Sequence, residues 1–271
     1  MLGGMTAPVL LDSITDLRPE HAGAVVLSGS HGGRYPAAVA SRGGIRAVVF
    51  NDAGRGLDDA GVAGVLALGE VGMAAAAADC MSCAIGSAAS LAGSGVISVV
   101  NAPARALGLR PGMTVAEAAA LLAGAPMPHG RLPALRESRG ARRLASGLMV
   151  QLLDSASLVG PADAGAVVIT GSHGGLVGGD PARALKAQAR VAVFNDAGLG
   201  PGGVGISRLP ALDARGIAAL TVAHDSARIG EAASALETGR ISHANRAARA
   251  LGARPGDRLA DWLATLPPEP G

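Results

Sequence analysis

The chain repeats itself, and no other feature limits its folding as much. Residues 22–33 read AGAVVLSGSHGG and residues 164–175 read AGAVVITGSHGG. The segment AVVFNDAG at 47–54 returns as VAVFNDAG at 191–198. Upstream, Asp12-Ser13 matches Asp154-Ser155; downstream, 84–112 (AIGSAASLAGSGVISVVNAPARALGLRPG) matches 228–256 (RIGEAASALETGRISHANRAARALGARPG). Self-similarity on this scale predicts two halves folded alike. The expected organisation is a first α/β repeat over 1–123, an Arg-rich linker and helix over 124–151, and a second α/β repeat over 152–271.

Inside each copy, short apolar runs alternate with helix-permissive segments. Residues 24–27 and 47–50, and again 166–169 and 191–194, are apolar on both faces, which suits central parallel strands. A third strand is expected at 74–78 and at 218–223, although the alanines of the first would favour helix locally. Residues 58–71 and 202–215 are expected to be helical. The βαβαβα pattern implies a parallel sheet flanked by helices. The fold expected is therefore α/β: two tandem Rossmann-like repeats with parallel sheets, related by internal duplication about a pseudo-two-fold axis. The stretch 131–151 starts with a Pro interruption and then permits a surface helix, with Arg136, Arg139, Arg142 and Arg143 on a solvated face.

Composition removes several classes of function. Aromatic residues are 1% of the 271, too few to stack single-stranded nucleic acid. The net charge is +2 with scattered basic residues, so no nucleic-acid footprint is expected. Cys80 and Cys83, the two cysteines, exclude a disulfide framework and fit a reducing cytoplasm. Residues 1–20 have neither the basic start nor the apolar stretch of a signal peptide. Residues 71–104 carry one charged residue, Asp79. They read as buried in the fold or in a homo-oligomer, with no membrane span. The Arg- and Ala-rich usage, with Lys186 as the single lysine, is that of a GC-rich bacterial genome.

Polar motifs begin where the strands are expected to end, and in an open parallel sheet those ends share one edge. In GSHGG, Gly32 and Gly174 let backbone amides approach a ligand. Ser30 and Ser172 offer hydroxyl nucleophiles or donors, and His31 and His173 offer general bases. The plain alternative is a turn whose Ser caps the next segment and whose His bonds the backbone. In NDAG, Asp52 and Asp196 would orient a histidine while Asn51 and Asn195 bond substrate; the alternative is turn capping. The spacing matches no phosphate or dinucleotide signature, so no nucleotide cofactor is implied.

The third loop differs between the copies. The second copy has His224, Asp225, Ser226, Arg228 and His243 where the first has Cys80, Met81, Ser82, Ala84 and Val99. Arg228 is the expected grip for a carboxylate, or else pairs with Glu231 three residues on. His224, Asp225, Ser226 and His243 are expected to contact the substrate as well, the alternative for Asp225 being to cap the helix that follows; Cys80 and Cys83 read as buried small apolar groups. The functional expectation is an enzyme acting on a small polar, anionic metabolite at a crevice between the repeats, by hydrolysis of an amide-type bond and without a cofactor. The alternatives are a divalent metal held by His and Asp for lyase, isomerase or hydrolase chemistry, and a non-catalytic ligand-binding oligomer.

Overall fold

A computed structural model describes residues 7–268. The protein is α/β, with two mixed and mostly parallel sheets of five and six strands. The chain divides into two compact units. Of the described residues, the first takes in 7–54, 59–136 and 177–179; the second takes in 55–58, 137–176 and 180–268.

The first unit runs β1 (Val9–Leu11), β2 (Val25–His31), α1 (Arg34–Arg42), β3 (Ala47–Asn51), α2 (Ala63–Leu68), β4 (Ala74–Ala78), α3 (Ala88–Ser94), β5 (Ile97–Val100), α4 (Ala102–Ala106) and α5 (Val115–Leu122). Strands β1 to β4 pair in parallel and in chain order, and β5 closes the edge antiparallel to β4. Successive side chains point to opposite faces, and the core follows that alternation. Val26, Val48, Phe50, Ala75 and Ala77 pack against α1 and α2 through Ala37, Ala40, Val65 and Leu68. Val25, Leu27, Val49, Ala74, Ala76 and Ala78 pack against Leu91 of α3 and Val115, Ala118 and Leu122 of α5. All five alanines of β4 are buried. Their local helix preference loses to two covered faces and two paired neighbours.

The second unit runs β6 (Arg139–Arg143), β7 (Met149–Leu153), β8 (Val167–His173), β9 (Val191–Asn195), α6 (Arg208–Asp213), β10 (Ala218–Val222), α7 (Ala232–Thr238), β11 (Ile241–Ala244), α8 (Arg246–Ala250) and α9 (Leu259–Ala264). Strands β7 to β10 are parallel, and β11 and β6 are the antiparallel edges. One face packs on α7, α8 and α9, including Trp262; the other packs on α6 through Leu209 and Leu212. No long helix follows β8. Two short 3-10 turns, Val177–Gly179 and Pro181–Arg183, stand there instead.

Two expectations need correction. Residues 139–143 are not helical: they form β6, antiparallel to β7. The edge of β7 offers a ladder of backbone groups, and the Arg side chains find acids across it. Arg139 forks onto the buried Asp163, and Arg142 pairs with Glu237 at 3.2 Å. The GSHGG motif also does not start after the strand. The strands β2 and β8 run through to His31 and His173, with a register shift after Leu27 and Ile169. The stretch 71–104 breaks into β4, α3, β5 and the start of α4. Among the described residues no helix is long and apolar enough to cross a membrane. In neither sheet does the strand order reverse along β1–β4 or β7–β10, so the topology itself supplies no switch-point crevice. The site has to be argued from side chains.

Candidate active site

The GSHGG residues are held by the backbone around them. Ser30 Oγ accepts the N–H of Ile14 at 3.0 Å, and Ser172 Oγ accepts that of Ala156 at 2.9 Å. No imidazole is among the partners of either hydroxyl. His31 Nδ1 accepts the N–H of Gly33 at 3.2 Å. That bond leaves the ring proton on Nε2, and burial pushes His31 down to about 4. His173 is buried and in register with Asn195. The glycines sit where a side chain would not fit. A Cβ on Gly29 would lie 2.5 Å from the backbone N of Ser87, and one on Gly171 would lie 2.5 Å from that of Glu231. On Gly32 it would meet Val65 Cγ2 at 2.6 Å, and on Gly174 the carbonyl of Gly205 at 2.5 Å.

Asn51 and Asn195 do the same work in their respective units. Each Oδ1 accepts an N–H two residues on, from Ala53 or Ala197, at 2.8 and 2.9 Å. Each Nδ2 donates to the loop after the next strand, at the carbonyl of Cys83 or Ala227. Ala53 and Ala197 are left-handed, with φ of 51 and 50°, and the Asn bond stabilises that turn. Asp12 and Asp154 cap α3 and α7 from a distance, accepting the N–H of Ala88 and Ala232 at 2.8 and 3.1 Å.

The units part company at the aspartates. Asp52 Oδ1 accepts from the N–H of Gly54 and of Cys80, both at 2.9 Å, and Oδ2 accepts from Ser98 Oγ at 2.7 Å. Asp196 Oδ1 accepts the corresponding amides, from Gly198 at 3.2 Å and His224 at 2.9 Å. It also receives His224 Nδ1 at 3.0 Å. Burial alone would raise the Asp196 carboxyl, but the hydrogen bonds of His224 and Ser242 and the charge of His224 bring it below the usual carboxylate range. Thr221 Oγ1 lies 2.9 Å from Ser242 Oγ, which extends the network. The His224 side chain keeps 32% of its surface, against 5% for Asp196. In the second unit the histidine bonded to Asp196 is thus His224, and not the expected His173. In the first unit no histidine is among the partners of Asp52.

Around His224, Arg228 Nε bonds Glu231 at 2.7 Å and Nη1 bonds Asp58 at 3.0 Å. These bonds hold the guanidinium firmly in its charged form. Ser226 Oγ donates to the carbonyl of Ala223 at 2.8 Å and accepts the N–H of Arg240 at 2.9 Å. Asp225 is exposed and is not the N-cap of α7, which starts at Ala232 behind Glu231. The chain between is a turn, because Ile229 and Ala227 are drawn into the core. His243 pairs with Thr221 across the β10–β11 ladder, and its buried Nδ1 has no hydrogen-bond partner among the described residues.

Among the described residues one set of metal-ligating atoms comes together. Those of Asp52, Asp79 and Cys80 all lie within 4.8 Å of one another. Of these, the sequence points to Asp52 as a site residue, and to Asp79 and Cys80 only as members of a mixed set with Cys83 and His31, neither of which belongs to this cluster. Asp79 is exposed, and its Oδ1 accepts the N–H of Met81 at 2.8 Å. Burial, followed by the nearby Asp52 and Asp79 charges, pushes the Cys80 thiol up to about 12; burial likewise pushes Cys83 up to about 11. Both cysteines are buried thiols, as expected of small apolar groups. Asp58 is the other residue missed. Its signal was an Asp pair after a Gly-rich turn, which by itself suggests only solvent exposure.

Compared with protein-family models, with curated proteins and with solved structures, the chain matches none.

Proposed function

We propose that this protein is an enzyme acting on a small, polar, anionic metabolite, with His224 as general base and acid and Asp196 as the group that orients it. The observation that carries the reading is the 3.0 Å bond from His224 Nδ1 to a carboxylate almost wholly removed from water. Asp196 fixes the tautomer with the proton on Nδ1, so Nε2 is the basic atom. The negative charge beside the ring favours the imidazolium that forms when Nε2 takes a proton. Hydrolysis of an amide-type bond fits this equipment. Nε2 removes a proton from water as its oxygen attacks the acyl carbon, then returns that proton to the departing amine. Water is better supported as the nucleophile than Ser30 or Ser172, whose hydroxyls are engaged by backbone amides. Arg228 is the grip for the anionic group.

The test is release of free amine from a panel of small N-acylated acids. His224→Gln and Asp196→Asn are each expected to lower kcat by about 10²-fold or more, with the fold intact by circular dichroism. Unchanged turnover in His224→Gln would sink the proposal.

The cluster of Asp52, Asp79 and Cys80 favours a second reading, a divalent metal site. The two carboxylates and a thiol made to ionise by the ion suit a borderline cation such as zinc. Titration with Co²⁺ is expected to give a thiolate-to-metal absorption band that Cys80→Ser abolishes. A titration without that band counts against it.

We also infer that two Rossmann-like repeats arose by duplication. Paired hydrogen bonds support this, from Ser30 and Ser172, Asn51 and Asn195, and Asp12 and Asp154. A cytoplasmic homo-oligomer belongs to the same reading, on cysteine usage and the nearly uncharged stretch 71–104.

A further inference from the structure

Within the second unit, residues 55–58 lie along His224. The N–H of Leu57 donates to the His224 carbonyl at 2.8 Å. Gly56 is so close that a Cβ there would stand 2.9 Å from that carbonyl oxygen and 3.9 Å from His224 Cβ. The segment is strained: Arg55, Gly56 and Asp58 are left-handed, with φ of 61, 68 and 56°. Two of these are not glycine, and such residues need surrounding contacts to persist there. A side-chain contact at its end is the ion pair of Asp58 with Arg228. That pair is open to water, with 64% of the Asp58 side chain and 36% of the Arg228 side chain exposed. Exposed pairs are weak and easily exchanged for another anion.

We propose that residues 55–58 are a strap over His224, and that Asp58 holds the place on Arg228 that the anionic group of the substrate takes. The inference rests on the reading of His224 as the working base. Bound anion and closed strap then compete for one guanidinium. Arrival of the substrate's anionic group frees Asp58, releases the strain at Arg55 and Asp58, and opens the approach to His224. Ligands without a negative group leave the strap closed. This names the substrate class as an acid whose carboxylate or similar planar anion lies within reach of His224.

The experiment needs no substrate. Diethyl pyrocarbonate acylates neutral imidazole, and the tryptic peptide 216–228 contains His224 as its one histidine, so its rate of modification can be followed by mass spectrometry. Asp58→Asn removes the charge and keeps a residue that tolerates the left-handed region. It is expected to raise the limiting rate at high pH about five-fold without moving the midpoint of the pH profile. A purely electrostatic effect would move the midpoint alone. Gly56→Ala, which drives a methyl against the His224 carbonyl, is expected to accelerate the reaction as well. Succinate at constant ionic strength is expected to accelerate the wild type and not Asp58→Asn. The strap is overturned if Asp58→Asn stays within about two-fold of the wild-type limit, or if succinate acts equally on both proteins. If His224 reacts faster as expected but His224→Gln retains full turnover, the strap stands and the catalytic reading falls.

Discussion

Asp196 and Asp52 occupy matching places, accept matching backbone amides, and differ in the one side chain presented to them. His224 in one unit and Cys80 in the other turn the same carboxylate frame into different chemistry. A lowered carboxyl contributes stability that is present at neutral pH and lost as pH falls through its own titration range. Asp196→Asn is therefore expected to reduce that acid sensitivity in denaturant titrations run on both sides of pH 4. His31 acts in the same direction through the opposite charge. Its folded value of about 4 lies below the ordinary 6.5, so the unfolded chain binds the proton first. Stability is full above pH 6.5 and falls as pH drops toward 4, by about 3 kcal/mol. His31→Gln is expected to flatten that slope. An equally steep slope in the variant would show the proton is taken up elsewhere.

At the level of elements, the repeated motif explains itself by packing. The glycine in the middle of β2, and its counterpart in β8, bring the strand against the turn that precedes α3 or α7, backbone to backbone. Gly29→Ala and Gly171→Ala are each expected to cost about 3 kcal/mol or more, because the atoms 2.5 Å away belong to the main chain and cannot swing aside. Gly160→Ala, with φ at −143° and nothing within 4 Å of the added carbon, is the control and is expected to stay within about 0.5 kcal/mol of wild type. Urea titrations of the three variants make the comparison. Most of the sheet was legible: 74–78 is a strand at the stated residues, and 47–50 and 191–194 fall inside β3 and β9. The edges were not legible. The short β1 carries too few residues to show a period, and β6 reads as Arg-rich surface until β7 lies beside it.

For the molecule as a whole, the division into two units leaves residues 125–138 without regular structure, and most of them are exposed. Limited trypsin is expected to cut first after Arg131 or Arg136, since exposed irregular backbone is where proteases act. A first cut within either sheet region would contradict the division. The two-unit plan could be expected from the repeat alone. The exchange of short segments could not: residues 55–58 belong with the second unit and 177–179 with the first. Both segments follow a polar motif in a Gly-rich stretch, where the chain carries no apolar period to say which core it joins.

Patterned apolar runs and repetition determined that this chain builds two mostly parallel sheets, because burial of alternating faces depends on residue type and spacing, both of which are written along the chain. The same patterns located Asn51, Asp52, Asn195 and Asp196 at strand ends. What each of these side chains touches was decided only in three dimensions. His224 is 28 residues from Asp196 and Asp58 is 170 from Arg228. Hydrogen bonds and ion pairs depend on distance and direction, which the folded backbone of the second unit sets. The shared motifs thus carry the fold, and the chemistry lies in the residues that differ.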